Sequence, residues 1–92
     1  MNYSLRFTPE SIKDIKRHKK SGDKKLLQKL EILFEELRKH PRTGTGQPEK
    51  LKHDLNGFYS RRINQKHRLI YEVQDEIVTV IVLSAYSHYG SK

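Results

Sequence analysis

The feature that most restricts the fold is a run of six apolar residues whose spacing follows one face of a helix. They lie between Asp23 and Pro41, and they are Leu26, Leu27, Leu30, Leu33, Phe34 and Leu37. Asp23 can cap the free amide groups at the helix start, and Pro41 disfavours helical backbone at His40. Because only one face is apolar, this helix must pack on a second layer of structure.

A short strand and a first helix precede this element. Apolar and polar residues alternate over residues 2–7, which predicts a strand with one buried face. Thr8 and Pro9 suit the cap and first position of a helix, and Gly22 suits its left-handed end. Ile12 and Ile15 give this helix a thin apolar stripe, and its basic residues are expected to face solvent. Those basic residues are Lys16, Arg17, Lys19 and Lys20.

The second half of the chain predicts strands joined by tight turns. Asn56-Gly57 is a strong hairpin signal, residues 58–64 and 67–73 read as strands, and the apolar residues 77–83 predict a central strand. The element order predicts an α+β fold in one domain covering residues 1–92. In it, the N-terminal strand and two helices pack on an antiparallel β-sheet.

The charge balance predicts a polyanionic partner. The formal net charge is +8, and residues 42–68 hold seven Lys and Arg but only two Asp and Glu. Nucleic acid is the first candidate, and a solvated lysine-rich surface is the alternative. The chain has no cysteine, no visible signal peptide and no apolar run that could span a bilayer. These features fit a reducing cytoplasm.

One carboxylate and several histidines could supply the proton transfers of metal-free RNA cleavage. This reaction needs a base for the 2′-hydroxyl, an acid for the departing 5′-oxygen and a cation for the phosphate. Glu49 is the candidate base and His88 the candidate acid, with His53 and His67 as competitors. From spacing alone, a loop glutamate paired with a neighbouring lysine and a surface histidine are the commoner interpretations.

The remaining histidines predict no further site. His18 and His40 lie on or beside the helices and are expected at the surface. No two of the five histidines have close metal-ligand spacing, so neither a metal site nor a cofactor is expected.

Two arginines make a sharper case for phosphate binding. If Gln65 is the middle of a three-residue turn, Arg62 lies opposite Arg68 across the hairpin. Like charges in that position repel, so the pair makes sense if an anion lies between them. The alternative is that both side chains spread into solvent. Further phosphate contacts or base stacking could come from Lys52, His53, Tyr59, Tyr86 and Tyr89.

Together these residues resemble a known family. The matching segments are Pro48-Glu49-Lys50-Leu51-Lys52-His53, Gly57-Phe58-Tyr59-Ser60-Arg61-Arg62-Ile63, His67-Arg68-Leu69-Ile70-Tyr71 and His88-Tyr89. They are similar to those of the Txe/YoeB family of toxin–antitoxin toxins, in the RelE superfamily. The resemblance implies a RelE-like fold and a ribosome-dependent endoribonuclease that cleaves mRNA in the ribosomal A site.

The resemblance also implies roles for individual residues. Glu49 corresponds to the general base of the family, His88 to its general acid and Arg68 to the arginine that stabilises the phosphate. The positions that match its basic RNA-contacting residues are Lys52, His53, Arg61 and Arg62. Tyr89 matches the tyrosine beside the acid, and Tyr59 stands where the family commonly has tryptophan.

The resemblance further implies partners. The expected antitoxin is of the YefM/Phd type, with a C-terminal segment that covers the basic site. The toxin would reach operator DNA only through that complex, and a toxin homodimer is left open. Two other functions are weighed against the mRNA interferase. One is a non-enzymatic ParE-like toxin acting on DNA gyrase, and the other is a plain basic RNA-binding module.

Overall fold

Two helices pack on one face of a five-stranded sheet. The structure is a computed structural model that describes residues 2–51 and 57–86. Its elements in chain order are β1 (Ser4–Phe7), α1 (Pro9–Ser21), α2 (Lys24–Lys39), β2 (Glu49–Lys50), β3 (Phe58–Arg62), β4 (Arg68–Gln74), a 3₁₀ turn (Asp75–Ile77) and β5 (Thr79–Ser84). None of the helices in these ranges is long and apolar enough to cross a membrane.

The sheet has the strand order β1-β5-β4-β3-β2. Three of its four pairings are antiparallel, as predicted, but β1 lies parallel to β5. The α+β prediction is therefore confirmed, whereas the purely antiparallel sheet is wrong. No turn joins β1 to β5, so local sequence signals do not specify their relative direction.

Both helices begin and end where the sequence predicts. The Thr8 hydroxyl accepts a hydrogen bond from the Ser11 amide, and Gly22 closes α1 with a φ of 74°. The Asp23 carboxylate accepts a hydrogen bond from the Leu26 amide at the start of α2. These caps satisfy amide groups that a helix cannot pair internally.

The core lies between α2 and the central strands. The leucine stripe of α2 is buried against Leu69, Tyr71 and Val73 of β4 and Val80 and Val82 of β5. The α1 helix contributes less apolar surface to the core than α2 does, because Ile12 is 45% exposed. Its buried face instead carries three polar residues, Ser11, Asp14 and His18.

The last strand is shorter than predicted. Residues 77–83 were expected to form it, but β5 begins at Thr79 and Ile77 is 58% exposed. The 3₁₀ turn and Val78, with a φ of 48°, reverse the chain first. Ile77 and Val78, which their apolar character assigns to the strand, therefore belong to the connection before it.

Candidate active site on the face opposite the helices

The strand register brings four polar side chains to the sheet face opposite the helices. Glu49 of β2 lies opposite Ser60 of β3, and Arg62 of β3 lies opposite Arg68 of β4. Side chains alternate between the faces of a strand. Since Leu69 points to the core, these four residues share the other face.

The Arg68 guanidinium is held in a fixed position. Its Nε and Nη2 atoms donate to the Ser60 hydroxyl at 3.1 and 2.9 Å. Its Nη2 atom also lies 3.4 Å from Glu49 Oε1. The Arg68 side chain is 13% exposed and that of Glu49 is 69% exposed. The site therefore combines a fixed cation with a carboxylate that a substrate can reach.

Ser60 is a site residue that is absent from the predicted set. Its hydroxyl is buried and accepts two hydrogen bonds from Arg68. The available signal was the predicted hairpin register, which places a small hydroxyl residue diagonally across from that arginine. Ser60 orients the guanidinium that the sequence analysis assigned to the phosphate.

The predicted pairing of Arg62 with Arg68 is confirmed. The turn between the two strands is closed by a hydrogen bond from the Ile63 amide to the His67 carbonyl, at 2.9 Å. The Asn64 side chain accepts hydrogen bonds from two amides of the same turn. Arg62 is exposed, so the two cations present a site for an anion at this end of the sheet.

Arg61 lies on the other face, where its burial contradicts the predicted RNA contact. The side chain is fully buried, and its Nη1 atom lies 2.8 Å from Glu36 Oε1. Its Nη2 atom donates to the carbonyl oxygens of His40 and Thr43 at 2.8 and 2.7 Å. Its Nε atom donates to the Tyr71 hydroxyl at 3.0 Å. These acceptors use the donors that an RNA contact would need.

The buried arginine fixes the loop that leads to Glu49. Burial raises the pKa of Glu36, but hydrogen bonds from Thr45 and the charge of Arg61 outweigh it, so the pKa lies below its usual value. Thr45 donates to that carboxylate through its amide and its hydroxyl, at 2.7 and 2.6 Å. The Arg62 amide donates to the Gly46 carbonyl at 2.7 Å. The loop is thus attached to both α2 and β3 just before Glu49.

Gly46 allows this attachment. Its φ is 84°, and a Cβ atom there would lie 2.6 Å from the Arg62 carbonyl oxygen. Only glycine combines this close approach with a left-handed backbone at little cost. Gly46 is therefore required for the close contact between this loop and β3.

Tyr59 is also separated from the candidate site. It lies opposite Tyr71 in the register, and the two rings stack with centroids 5.9 Å apart. Its hydroxyl accepts a hydrogen bond from Arg42 Nε at 3.0 Å. Because Tyr71 faces the core, Tyr59 is on the helix side of the sheet. This placement contradicts the predicted phosphate contact or base stacking beside Arg68.

The buried polar face of α1 holds the chain just after β5. Asp14 Oδ2 accepts a hydrogen bond from the Ala85 amide at 2.9 Å. His18 Nε2 lies 2.7 Å from the Ala85 carbonyl oxygen, so it carries the proton that this contact requires. His18 is only 2% exposed, and its predicted surface position is wrong.

Replacing Asp14 with alanine should lower the free energy of unfolding by about 1–3 kcal/mol, because the buried Ala85 amide would lose its acceptor. Urea denaturation followed by circular dichroism measures this change. Asp14→Asn is the matched control, since its amide oxygen can still accept the hydrogen bond. Equal denaturation midpoints for Asp14→Ala and the unmodified protein would contradict the assigned contact.

Four predicted site residues lie outside the described residues. They are Lys52, His53, His88 and Tyr89. Among the described residues, no group of three His, Asp or Glu side chains could hold a metal ion. Within the described part of the chain, the structure therefore brings together Glu49, Arg62 and Arg68, with Ser60 as their support.

Comparison with known proteins decides the family. A family model described as "YoeB-like toxin of bacterial type II toxin-antitoxin system" matches residues 7–89. The chain belongs to this YoeB family. Toxin YoeB of Escherichia coli strain K12 is 42% identical over 67 residues, which cover 73% of this chain and 77% of the relative. The protein is thus a type II toxin–antitoxin toxin.

Solved structures of similar toxins agree with the fold. A YoeB/ParE toxin from Agrobacterium tumefaciens is 31% identical with a TM-score of 0.86, covering 94% of this chain and 99% of its own. The Staphylococcus aureus YoeB dimer is 38% identical with a TM-score of 0.80. The toxin in a heterotetrameric YoeB-YefM complex from the same organism is 37% identical with a TM-score of 0.78. Each of these two matches covers 97% of this chain and 100% of the Staphylococcus aureus chain. The three structures together confirm the predicted RelE-like α+β fold.

Proposed function

We propose that this toxin is a ribosome-dependent endoribonuclease that cleaves mRNA in the ribosomal A site and so inhibits translation. The observation that carries the proposal is the Arg68 guanidinium, held by Ser60 and placed 3.4 Å from the exposed Glu49 carboxylate. A base beside a fixed cation is what attack on a phosphodiester requires. Membership of the YoeB family supports the same activity.

The proposed reaction is an in-line displacement within the RNA. Glu49 takes the proton of a 2′-hydroxyl, and that oxygen forms a bond to the adjacent phosphorus. The phosphorus–5′-oxygen bond breaks, and His88 protonates the departing oxygen. Arg68 stabilises the negative charge that builds on the phosphate. Each proton transfer contributes about 10²–10⁴-fold to the rate, and no metal is invoked.

The ribosome has a defined part in this proposal. Glu49 is 69% exposed, so we propose that the ribosome holds the flexible RNA strand against this carboxylate. Holding the strand in the in-line geometry can supply a large part of the barrier reduction. We therefore expect little cleavage of free RNA and place the activity in the bacterial cytoplasm, where ribosomes are.

The proposal also includes protein partners. The Staphylococcus aureus relative forms a complex with YefM and is also described as a dimer. For this chain we propose an antitoxin of the YefM/Phd type with an acidic segment that covers Arg62 and Arg68. Operator DNA would be bound only through the toxin–antitoxin complex. A toxin homodimer is proposed as a second assembly.

The test is mRNA cleavage on programmed ribosomes, mapped by primer extension. Glu49→Ala and His88→Ala should each reduce A-site cleavage by about 10²-fold or more. Glu76→Ala is the matched control, because Glu76 is an exposed carboxylate in the turn before β5. Intact mRNA with the unmodified toxin would contradict the proposal. Inhibition of gyrase supercoiling by the same preparation would then favour the ParE-like alternative.

A further inference from the structure

The outer face of α1 carries a dense cluster of positive charge. Five cationic side chains line one shallow depression along this helix, and they are Lys13, Lys16, Arg17, Lys19 and Lys20. All five are exposed. None of them forms an ion pair with any carboxylate in residues 2–51 and 57–86. We call this cluster the α1 basic face.

Three of these lysines form a row along the helix. Lys13, Lys16 and Lys20 are three and four residues apart, so they are neighbours on the helix surface. They lie opposite the buried face that carries Asp14 and His18. The row is about 10 Å long at 1.5 Å per residue. One strand of a nucleic acid duplex has a phosphate about every 3.4 Å along its axis, so the row can face about three phosphates.

The helix dipole accounts for only part of this charge. Lys19 and Lys20 lie in the last turn, where a cation stabilises the helix. Lys13 and Lys16 lie in earlier turns, where this effect has faded, and like charges three or four residues apart repel. A bound polyanion would turn this repulsion into attraction.

The α1 basic face is separate from the candidate active site. The Arg17 guanidinium lies 3.6 Å from the centre of the Tyr86 ring. That ring lies 4.3 Å from the His67 ring, and His67 immediately precedes Arg68. His67 packs on His18 of α1, whereas Arg68 lies on the sheet face opposite the helices, so the two basic surfaces are on different sides of the sheet.

We infer that the α1 basic face is a second RNA-binding surface, which contacts the phosphate backbone outside the cleavage site. This inference rests on the proposed function, because it concerns how the toxin is held on its target. We assign these phosphates to ribosomal RNA, because the α1 basic face lies on the other side of the sheet from the residues assigned to the mRNA. The experiment below distinguishes this source from the mRNA beside the cleaved codon.

The test compares two triple variants that lose the same charge. The first is Lys13→Gln, Lys16→Gln and Lys20→Gln. The control is Lys24→Gln, Lys25→Gln and Lys39→Gln, which neutralises three exposed lysines of α2. Binding to ribosomes is measured by co-sedimentation at several salt concentrations, and cleavage is measured in parallel at varied ribosome concentration.

For the α1 variant, the slope of log affinity against log salt should become shallower by about 2–3, at about 0.7–0.9 for each lost phosphate contact. The control should keep the slope of the unmodified toxin. Cleavage by the α1 variant should show a raised KM and an unchanged kcat, because the face holds the ribosome without taking part in the reaction. Equal slopes for the two variants would overturn the inference, and an acidic protein would then be the better candidate for this face.

Three ligands separate the sources of phosphate. Weaker binding of the α1 variant to vacant ribosomes supports ribosomal RNA, whereas a defect limited to programmed ribosomes and a short free RNA would overturn that assignment in favour of mRNA. Binding is measured independently of cleavage, so the two proposals can fail separately. A toxin that binds through the α1 face without cutting mRNA would contradict only the proposed function. Cleavage at an unchanged KM in the α1 variant would contradict only the present inference.

Discussion

Arg61→Met is expected to lower the free energy of unfolding by about 3–5 kcal/mol, as found when one partner of a buried ion pair is removed. The substitution would leave the Glu36 carboxylate without its cation. It would also remove the guanidinium hydrogen bonds to the carbonyl oxygens of His40 and Thr43. Domains of this size are stable by only about 5–15 kcal/mol, so this change would remove much of the total.

Arg62→Met is the matched control for that experiment. Arg62 is the next residue of the same strand, but its side chain is exposed, so we expect a change within about 0.5 kcal/mol. Both variants can be compared by urea denaturation followed by circular dichroism. If Arg61 instead contacted RNA, Arg61→Met would unfold at the same urea concentration as the unmodified toxin.

Arg68→Gln should reduce cleavage on programmed ribosomes by about 10²–10³-fold, the usual effect of removing one fixed donor from a developing negative charge. Arg68→Lys keeps the charge but lacks the planar fork that both contacts Ser60 and reaches toward Glu49. Its activity should lie between those of Arg68→Gln and the unmodified toxin. Cleavage rates at saturating ribosome concentration measure both effects.

The neighbouring arginine again provides the control. Arg62→Gln removes an exposed cation from the same face, so it should raise KM and largely preserve kcat. Thermal denaturation of each variant checks that folding is retained. A fully active Arg68→Gln toxin of unchanged stability would contradict the role proposed for this guanidinium.

The hairpin shows how much of the site could be predicted. The turn signals placed Arg62 opposite Arg68, and the structure has that register. The same register requires Arg61 to point to the other face, because side chains alternate. The family resemblance nevertheless implies an RNA contact for Arg61, and arginine is indeed rarely buried. The buried guanidinium of Arg61 is stabilised by hydrogen-bond acceptors on α2 and the following loop.

Other errors have the same physical origin. The burial of His18 could not be predicted, because its acceptor, the Ala85 carbonyl, lies 67 residues away in the chain. The parallel pairing of β1 with β5 likewise depends on contacts between distant segments. Helix caps and hairpin turns depend on neighbouring residues, so they could be predicted. Buried polar contacts between distant segments could not.

The pairing of β1 with β5 has a consequence for the order in which the toxin folds. The Thr8 hydroxyl donates to the Leu83 carbonyl, 75 residues later, and Asp14 binds Ala85. The first strand and helix therefore lack their partners until nearly the whole chain has been synthesised. Contacts between such distant segments also form slowly. The five-stranded sheet of this toxin therefore cannot close during synthesis until β5, which lies between β1 and β4, has been made.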